Sequence, residues 1–219
     1  MSERARHLVG IPLSENRLLQ GLIVGYLGFW LAMAVSPLDR STWLLENYLV
    51  FACWGLFLAT HRRFILSNVS HVAIVAFLVL HCVGSHYTYS EVPIGGWVRD
   101  AFGLSRNHFD RVVHFAFGLL LAYPLRELVL RRMHVHGPWS YVLPALVIAA
   151  GSASYEIIEW AAAAVAGEDV GMAYVGAQGD VWDGQKDMLL AGLGGAIAML
   201  ATALYRRVTG HEPYLGRPR

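Results

Sequence analysis

Six acidic and histidine side chains in the second half of the chain have the types and spacing of a metal or acid–base site. They form three pairs along the sequence, Asp110 and His114, Glu156 and Glu159, and Asp183 and Asp187. Residues three or four apart share one face of a helix. Carboxylates and imidazole are ligands for divalent cations, and they also act as general acids and bases. All six are therefore candidate catalytic residues and candidate metal ligands.

Further residues near these pairs complete the predicted site. Asp180 precedes the third pair and is a seventh candidate metal ligand. Oxygen ligands favour magnesium, calcium or manganese, and an added imidazole admits zinc. Guanidinium groups bind phosphate oxygens, so arginines beside the carboxylates are candidates for holding a substrate headgroup. The predicted substrate-binding residues are His86, Tyr87, Arg106, Arg111 and Gln185.

The composition places these residues in a membrane protein. Of the 219 residues, 56% are hydrophobic and 15% are charged, and the mean hydropathy is +0.44. Soluble domains average about 45–50% apolar and roughly 25% charged residues. The composition excludes a disordered chain, a collagen-like fibre and a disulfide-rich secreted module, and it argues against an ordinary soluble enzyme. The net charge of +1 gives no reason to expect a nucleic acid partner.

Six apolar stretches are long enough to cross a bilayer, which takes about 20 residues of helix. They are residues 18–36, 43–60, 69–88, 111–130, 141–166 and 185–205. The sequence therefore predicts an all-α polytopic membrane protein, a bundle of six transmembrane helices over residues 18–205. Residues 1–17 and 206–219 are predicted to be cytoplasmic tails.

The distribution of Lys and Arg predicts the orientation of the bundle. With the N-terminus in the cytoplasm, twelve of the 17 basic residues fall on the cytoplasmic side, as the positive-inside rule requires. Both termini are then cytoplasmic, and the three pairs lie in the outer half. A competing interpretation of the first helix remains open, because the sequence Ala32-Met33-Ala34 resembles a signal-peptidase site.

Glycines and cysteines add predictions about packing. Small residues predict close contacts among the last three spans, through Gly118 with Ala122, Gly151 with Ser152 and Ser154, and Gly192 with Ala196. Two glycine-rich segments, residues 89–109 and 167–184, are predicted to be loops that fold back over the bundle. The neighbours Arg126 and Glu127 are predicted to be a pair at the membrane interface near the cytoplasmic side. Cys53 and Cys82 are predicted to be free thiols within helices.

Several sequence blocks resemble the YjdF-like family of small bacterial inner-membrane proteins. They are HYTYSEVPIG (86–95), RNHFDRVVHFAFG (106–118), PLRE (124–127), SYEIIEW (154–160) and GAQGDVWDGQKDM (176–188). A weaker resemblance to VanZ-like proteins rests on Asp110 with His114, and on Asp183 and Asp187 before a run of glycines. The two resemblances imply an inner-membrane location and an envelope-linked role, and they imply no mechanism.

Three functions are compatible with these observations. The first is a metal-dependent hydrolase or transferase acting on a lipid-linked envelope substrate. The second is an ion- or proton-coupled binding or transport protein that uses Glu156 and Glu159. The third is a non-enzymatic accessory or structural membrane protein, whose polar cluster is an internal network of ion pairs. The sequence contains no nucleophile motif such as Gly-x-Ser-x-Gly that would favour a particular reaction.

Overall fold

The computed structural model describes residues 10–61, 64–166 and 178–213, and all regular elements in these ranges are helices. The helices are α1 (Arg17–Ala34), α2 (Arg40–Thr60), α3 (Asn68–His86), α4 (Pro93–Phe102), α5 (Phe109–Arg131), α6 (Trp139–Ala166) and α7 (Asp183–Thr209). All except α4 are long and apolar enough to cross a membrane. The predicted class, an all-α protein with six membrane-spanning helices, is confirmed.

Side-chain caps and glycine fix several helix ends. Asn16, Asp39 and Ser67 each accept a hydrogen bond from a backbone amide in the first turn of the helix that follows. The last helix continues through Arg206 and Arg207, beyond the predicted boundary at residue 205, and ends where Gly210 takes the left-handed conformation at φ 72°.

Residues 89–109 contain a helix where the sequence analysis expected only a loop. Proline occupies the first turn of α4, and Gly103 ends it with φ 61°. At ten residues α4 is too short to span a bilayer. One face carries exposed Ile94, Trp97 and Phe102, with Trp97 72% exposed. A short helix with such a face is typical of segments that lie at a membrane surface.

Contacts between chain segments define two ends of the bundle. At the first, the Leu38 amide donates to the His86 carbonyl, and α5 and α7 begin. We call this the Asp110 end. At the other, Asn16 donates to Asn68, and α5 and α7 finish. We call this the Arg126 end. All three pairs of candidate site residues lie toward the Asp110 end.

The three final spans form the core of the bundle, because glycines let α5 and α7 touch through their backbones. Added Cβ atoms at Gly118 and Gly194 would collide with the carbonyl oxygens of Ala191 and Phe115, respectively. The predicted role of Gly118 agrees with this packing. The predicted pair Gly192 and Ala196 was wrong: Ala196 is exposed and nothing surrounds Gly192, since α7 presents its other face, with Gly194, to α5.

The predicted pair between Arg126 and Glu127 was also wrong. Both side chains are fully buried, but as neighbours on a helix they point in different directions. Arg126 binds both carboxylate oxygens of Glu212, at 2.5 and 3.0 Å, and stacks on the ring of Tyr141. Glu127 instead accepts hydrogen bonds from the amide and hydroxyl of Ser67. Each charge is thus satisfied by a different segment of the chain.

The two cysteines agree with their prediction, since both are free thiols within helices: Cys53 is exposed and Cys82 is buried.

Candidate functional site

Three of the predicted site residues come together at the Asp110 end. Asp110 and His114 extend from the first two turns of α5, and Asp187 extends from the second turn of α7. One ligand atom from each lies within 4.8 Å of the ligand atoms of the other two. The close backbone contact at Gly118 and Gly194 brings the two helices together and so positions the three side chains. We call Asp110, His114 and Asp187 the carboxylate–histidine triad.

The spacing around His114 resembles that of atoms that bind one ion. Its Nε2 lies 3.6 Å from an oxygen of Asp110 and 3.5 Å from an oxygen of Glu156. Both separations exceed those of ordinary hydrogen bonds. Ligands held at about 2.0–2.4 Å from a shared cation lie roughly 3–3.5 Å from one another. With Asp187, the geometry admits an ion between Asp110 and His114, and it leaves the Glu156 oxygen beside that position.

Two carboxylate oxygens in this region have no partner among the described residues. Oδ1 of Asp187 and Oε1 of Glu156 are both inaccessible to solvent and accept no hydrogen bond there. Asp187 as a whole is only 2% exposed. A buried carboxylate oxygen without a donor is costly, so such atoms call for a proton, a cation or a water molecule.

The second predicted pair lies beside the triad. Glu156 reaches His114 from α6, and its carboxyl group contacts that of Glu159. A Cβ atom at Gly184 would press against the Glu156 carboxyl, so the glycine permits this approach to the start of α7. Glu156 contacts both His114 and Glu159, so the two glutamates add two acidic groups beside the triad.

Arg106 and Arg111 bind the remaining carboxylates. Arg106 forms a buried ion pair with Asp183, and Arg111 bridges Asp183 at 3.0 Å and Asp180 at 2.5 Å. A hydrogen bond from Lys186, with others from the Trp182 amide and Arg111, holds the pKa of Asp180 well below its usual range. The two arginines predicted to hold a substrate phosphate are thus engaged with aspartates.

The other predicted substrate-binding residues lie outside the triad. His86 contacts the carbonyl oxygen of Met33 through Nδ1 at 2.7 Å, and its ring packs on that of Tyr87. Gln185 is exposed on α7. None of the three lines the cavity described below.

Sequence reasoning missed a further acidic residue, Glu46 of α2. It is 3% exposed and accepts a hydrogen bond from the hydroxyl of Tyr155 at 2.8 Å, which links α2 to α6. Nearby, His81 contacts the hydroxyl of Tyr89 at 2.6 Å. The signal was available, because Glu46 is a carboxylate within a stretch predicted to span the membrane.

A cavity of about 360 Å³ opens beside the triad, among α2, α3, α5 and α6. Its polar lining includes Asp110, His114 and Glu159, toward the Asp110 end. Most of the remaining wall is apolar and includes Leu49, Phe77, Val113, Phe117, Leu121 and Ile158, and the polar side chains of His81, Ser152 and Ser154 also line it. This volume lies within the range of small-molecule sites, roughly 300–1,000 Å³.

Comparison with known proteins shows the family to which the chain belongs. The family described as "Predicted membrane protein (DUF2238)" matches residues 18–208. This chain belongs to that family. It is 37% identical over 201 residues to the inner membrane protein YjdF of Escherichia coli strain K12, covering 91% of this chain and 93% of that protein.

The family membership confirms the resemblance to YjdF-like proteins and, with the six apolar helices, supports a multi-pass protein of the inner membrane. No solved structure matches the DUF2238 chain described here. The resemblance to VanZ-like proteins stays a prediction.

Proposed function

We propose that this protein is a metal-dependent hydrolase or transferase that acts on a lipid-linked substrate of the bacterial envelope. The observation that carries the proposal is the carboxylate–histidine triad, whose ligand atoms lie within 4.8 Å of one another beside two unpartnered carboxylate oxygens. Two carboxylates and one imidazole suit manganese or zinc, and also magnesium if water completes the coordination. A divalent ion at this position would activate water or neutralise a phosphate oxygen.

The other side chains would have supporting roles. Glu156 would act as the general base, accepting a proton at Oε1, which is unpartnered and 3.5 Å from His114. Arg106 and Arg111 would hold Asp183 and Asp180 so that the start of α7, and with it Asp187, keeps its position. They would be positioning residues in this scheme and not phosphate ligands.

A second candidate function is an accessory membrane protein without catalysis. The buried ion pair between Arg106 and Asp183, extended through Arg111 to Asp180, favours this alternative. Such a network stabilises a bundle without any ligand. The third function, ion or proton coupling through Glu156 and Glu159, rests on the contact between their carboxyl groups.

We further propose that both termini are cytoplasmic and that the Asp110 end faces outward. The excess of Lys and Arg at the Arg126 end supports this orientation. Reporter fusions at Arg219 and within residues 167–178 test it. A fusion at Arg219 that is active only outside the cytoplasm would reverse the orientation.

The proposed enzyme is tested by reconstituting the purified protein in vesicles of bacterial membrane lipids with manganese, magnesium or zinc. We expect lipid products that form only with metal and that disappear with a chelator. Asp187→Asn should abolish their formation, whereas the exposed control Gln185→Asn should retain it. Products that form equally with Asp187→Asn would contradict the proposal, and metal binding without any product would favour the other two functions.

A further inference from the structure

The apolar cavity beside the triad has features of a site for one hydrocarbon chain. Its walls change from polar to apolar along its length. Asp110 and His114 belong to both the triad and the cavity wall, so the two are continuous. Phe117 and Leu121 follow His114 on the same face of α5, at spacings of three and four residues, and continue the wall as an apolar surface.

The cavity also reaches the outer surface of the bundle. Leu49 of α2 and Ile158 of α6 line it, yet they are 50% and 61% exposed. In a membrane protein such exposed aliphatic side chains face the acyl chains of the bilayer. The hydrogen bond between Tyr155 and Glu46 joins the same two helices toward the Asp110 end. Leu49 and Ile158, three residues after Glu46 and Tyr155 respectively, therefore form a part of the cavity wall that faces lipid.

We propose that one hydrocarbon chain of a bilayer lipid enters laterally between α2 and α6 and occupies this cavity, with its headgroup at the carboxylate–histidine triad. Two features favour a lipid over a water-soluble ligand, the apolar walls and the sideways opening. The position of the headgroup rests on the proposed function, whereas occupation of the cavity by a chain does not.

Gly151 provides a way to close the cavity without disturbing the fold. It lines the cavity, and a Cβ atom there would lie 3.5 Å from the ring of Phe117, an ordinary contact distance. A larger side chain would extend into the cavity. Gly192 offers a matched control, because it also lies within a membrane-spanning helix and nothing surrounds its Cβ position. Gly151→Leu and Gly192→Leu therefore make the same change inside and outside the cavity.

The test is photolabelling in phospholipid vesicles that contain a lipid with a diazirine on its acyl chain, followed by peptide mapping. We expect labelling at Phe117 in the natural protein, at least a tenfold loss with Gly151→Leu, and no loss with Gly192→Leu. Should Gly151→Leu fail to fold, Gly151→Ala carries the test, with a smaller loss. The inference is overturned if Phe117 stays unlabelled while the bilayer-facing Leu200 is labelled, or if Gly151→Leu labels as strongly as the natural protein.

Metal binding to the same variants separates this inference from the proposed function. Gly151→Leu should bind manganese like the natural protein, and Asp187→Asn should still be labelled at Phe117. Labelling without metal binding would remove the proposed function and keep the lipid site. Metal binding without labelling would remove the lipid site alone.

Discussion

The imidazole of His114 and the carboxyl of Glu156 approach one another from two different helices, with Nε2 and Oε1 3.5 Å apart. The distance is too long for a hydrogen bond, and it places the Glu156 oxygen beside the carboxylate–histidine triad, where a general base would act. An ion held by Asp110, His114 and Asp187 would connect α5 with α7, which already pack on each other through glycine. Metal binding should therefore stabilise the fold as well as serve a reaction.

The carboxylate of Asp187 is expected to bind metal, and that of Asp183 to stabilise the fold. Without metal, Asp187→Asn should leave the melting temperature unchanged or raised, because an unpartnered buried oxygen loses its charge. Asp183→Asn should destabilise the protein by about 3–5 kcal/mol, because it leaves Arg106 buried without its carboxylate. Thermal unfolding in detergent measures both. Equal losses from the two variants would support the accessory-protein alternative.

Metal should raise the stability of the natural protein, and above Kd the gain should grow with the logarithm of the free metal concentration. At a free manganese concentration of 100 times Kd, the gain is about 2.7 kcal/mol. Asp187→Asn should abolish the gain, and Gln185→Asn, an exposed change on the same helix, should retain it. A gain that persists in Asp187→Asn would assign the ion to another site.

The contact between α5 and α7 should not tolerate a methyl group. Alanine normally stabilises a helix relative to glycine by up to about 1 kcal/mol. Gly118→Ala and Gly194→Ala should nevertheless lose about 1–3 kcal/mol, because the new Cβ meets a backbone carbonyl of the opposing helix. Gly192→Ala is the control and should be neutral or stabilising. Chemical denaturation measures the free energy of unfolding of the three variants and so checks whether Gly192→Ala is the most stable of them.

The ion pairs of Asp180 should give a defined dependence on pH. Because the pKa of Asp180 is lowered in the folded protein, its contribution is complete above the unfolded value, about 3.9, and is lost as the pH falls further toward the folded pKa. The difference in melting temperature between the natural protein and Asp180→Asn should be constant from about pH 5 to 7 and should shrink below about pH 4. A difference that grows on acidification would show that Asp180 has the opposite linkage.

The buried Arg126 should depend on the segment after α7. Glu212→Gln removes the carboxylate that binds its guanidinium, and we expect a loss of about 3–5 kcal/mol. Asp100→Asn breaks the exposed pair with Arg99 and should leave the free energy of unfolding nearly unchanged, because solvent screens the pair. If both variants lose a similar amount of unfolding free energy, burial does not make the ion pair between Arg126 and Glu212 more important for stability than an exposed pair.

Hydropathy and helical spacing were enough to predict the six spans and the convergence of Asp110 with His114. Both depend on local properties, namely the length of an apolar run and the angle between residues on one helix. The face of α7 that contacts α5 could not be predicted from local properties of the sequence. Gly192 and Gly194 are both small residues in one glycine-rich run, and only the packing of α5 decides which of them is buried.

The charge pairs were harder to predict for the same reason. Arg106 could bind a phosphate or an aspartate, and the partner Asp183 is 77 residues away in sequence. Glu46 stood out as a carboxylate within a predicted span, but its partner Tyr155 is 109 residues away, so spacing in the sequence could not connect the two. The helix α4 was missed because ten residues with two glycines carry too little helical signal against a proline- and glycine-rich background.

Electron spin echo spectroscopy of the manganese-loaded protein tests whether a divalent ion binds between Asp110, His114 and Asp187. We expect one manganese ion per chain, with nitrogen modulation from a coordinated imidazole. That modulation should disappear in His114→Gln and persist in His86→Gln, whose ring contacts the Met33 carbonyl away from the triad. Manganese bound without nitrogen modulation, or modulation that survives in His114→Gln, would show that His114 does not bind the ion.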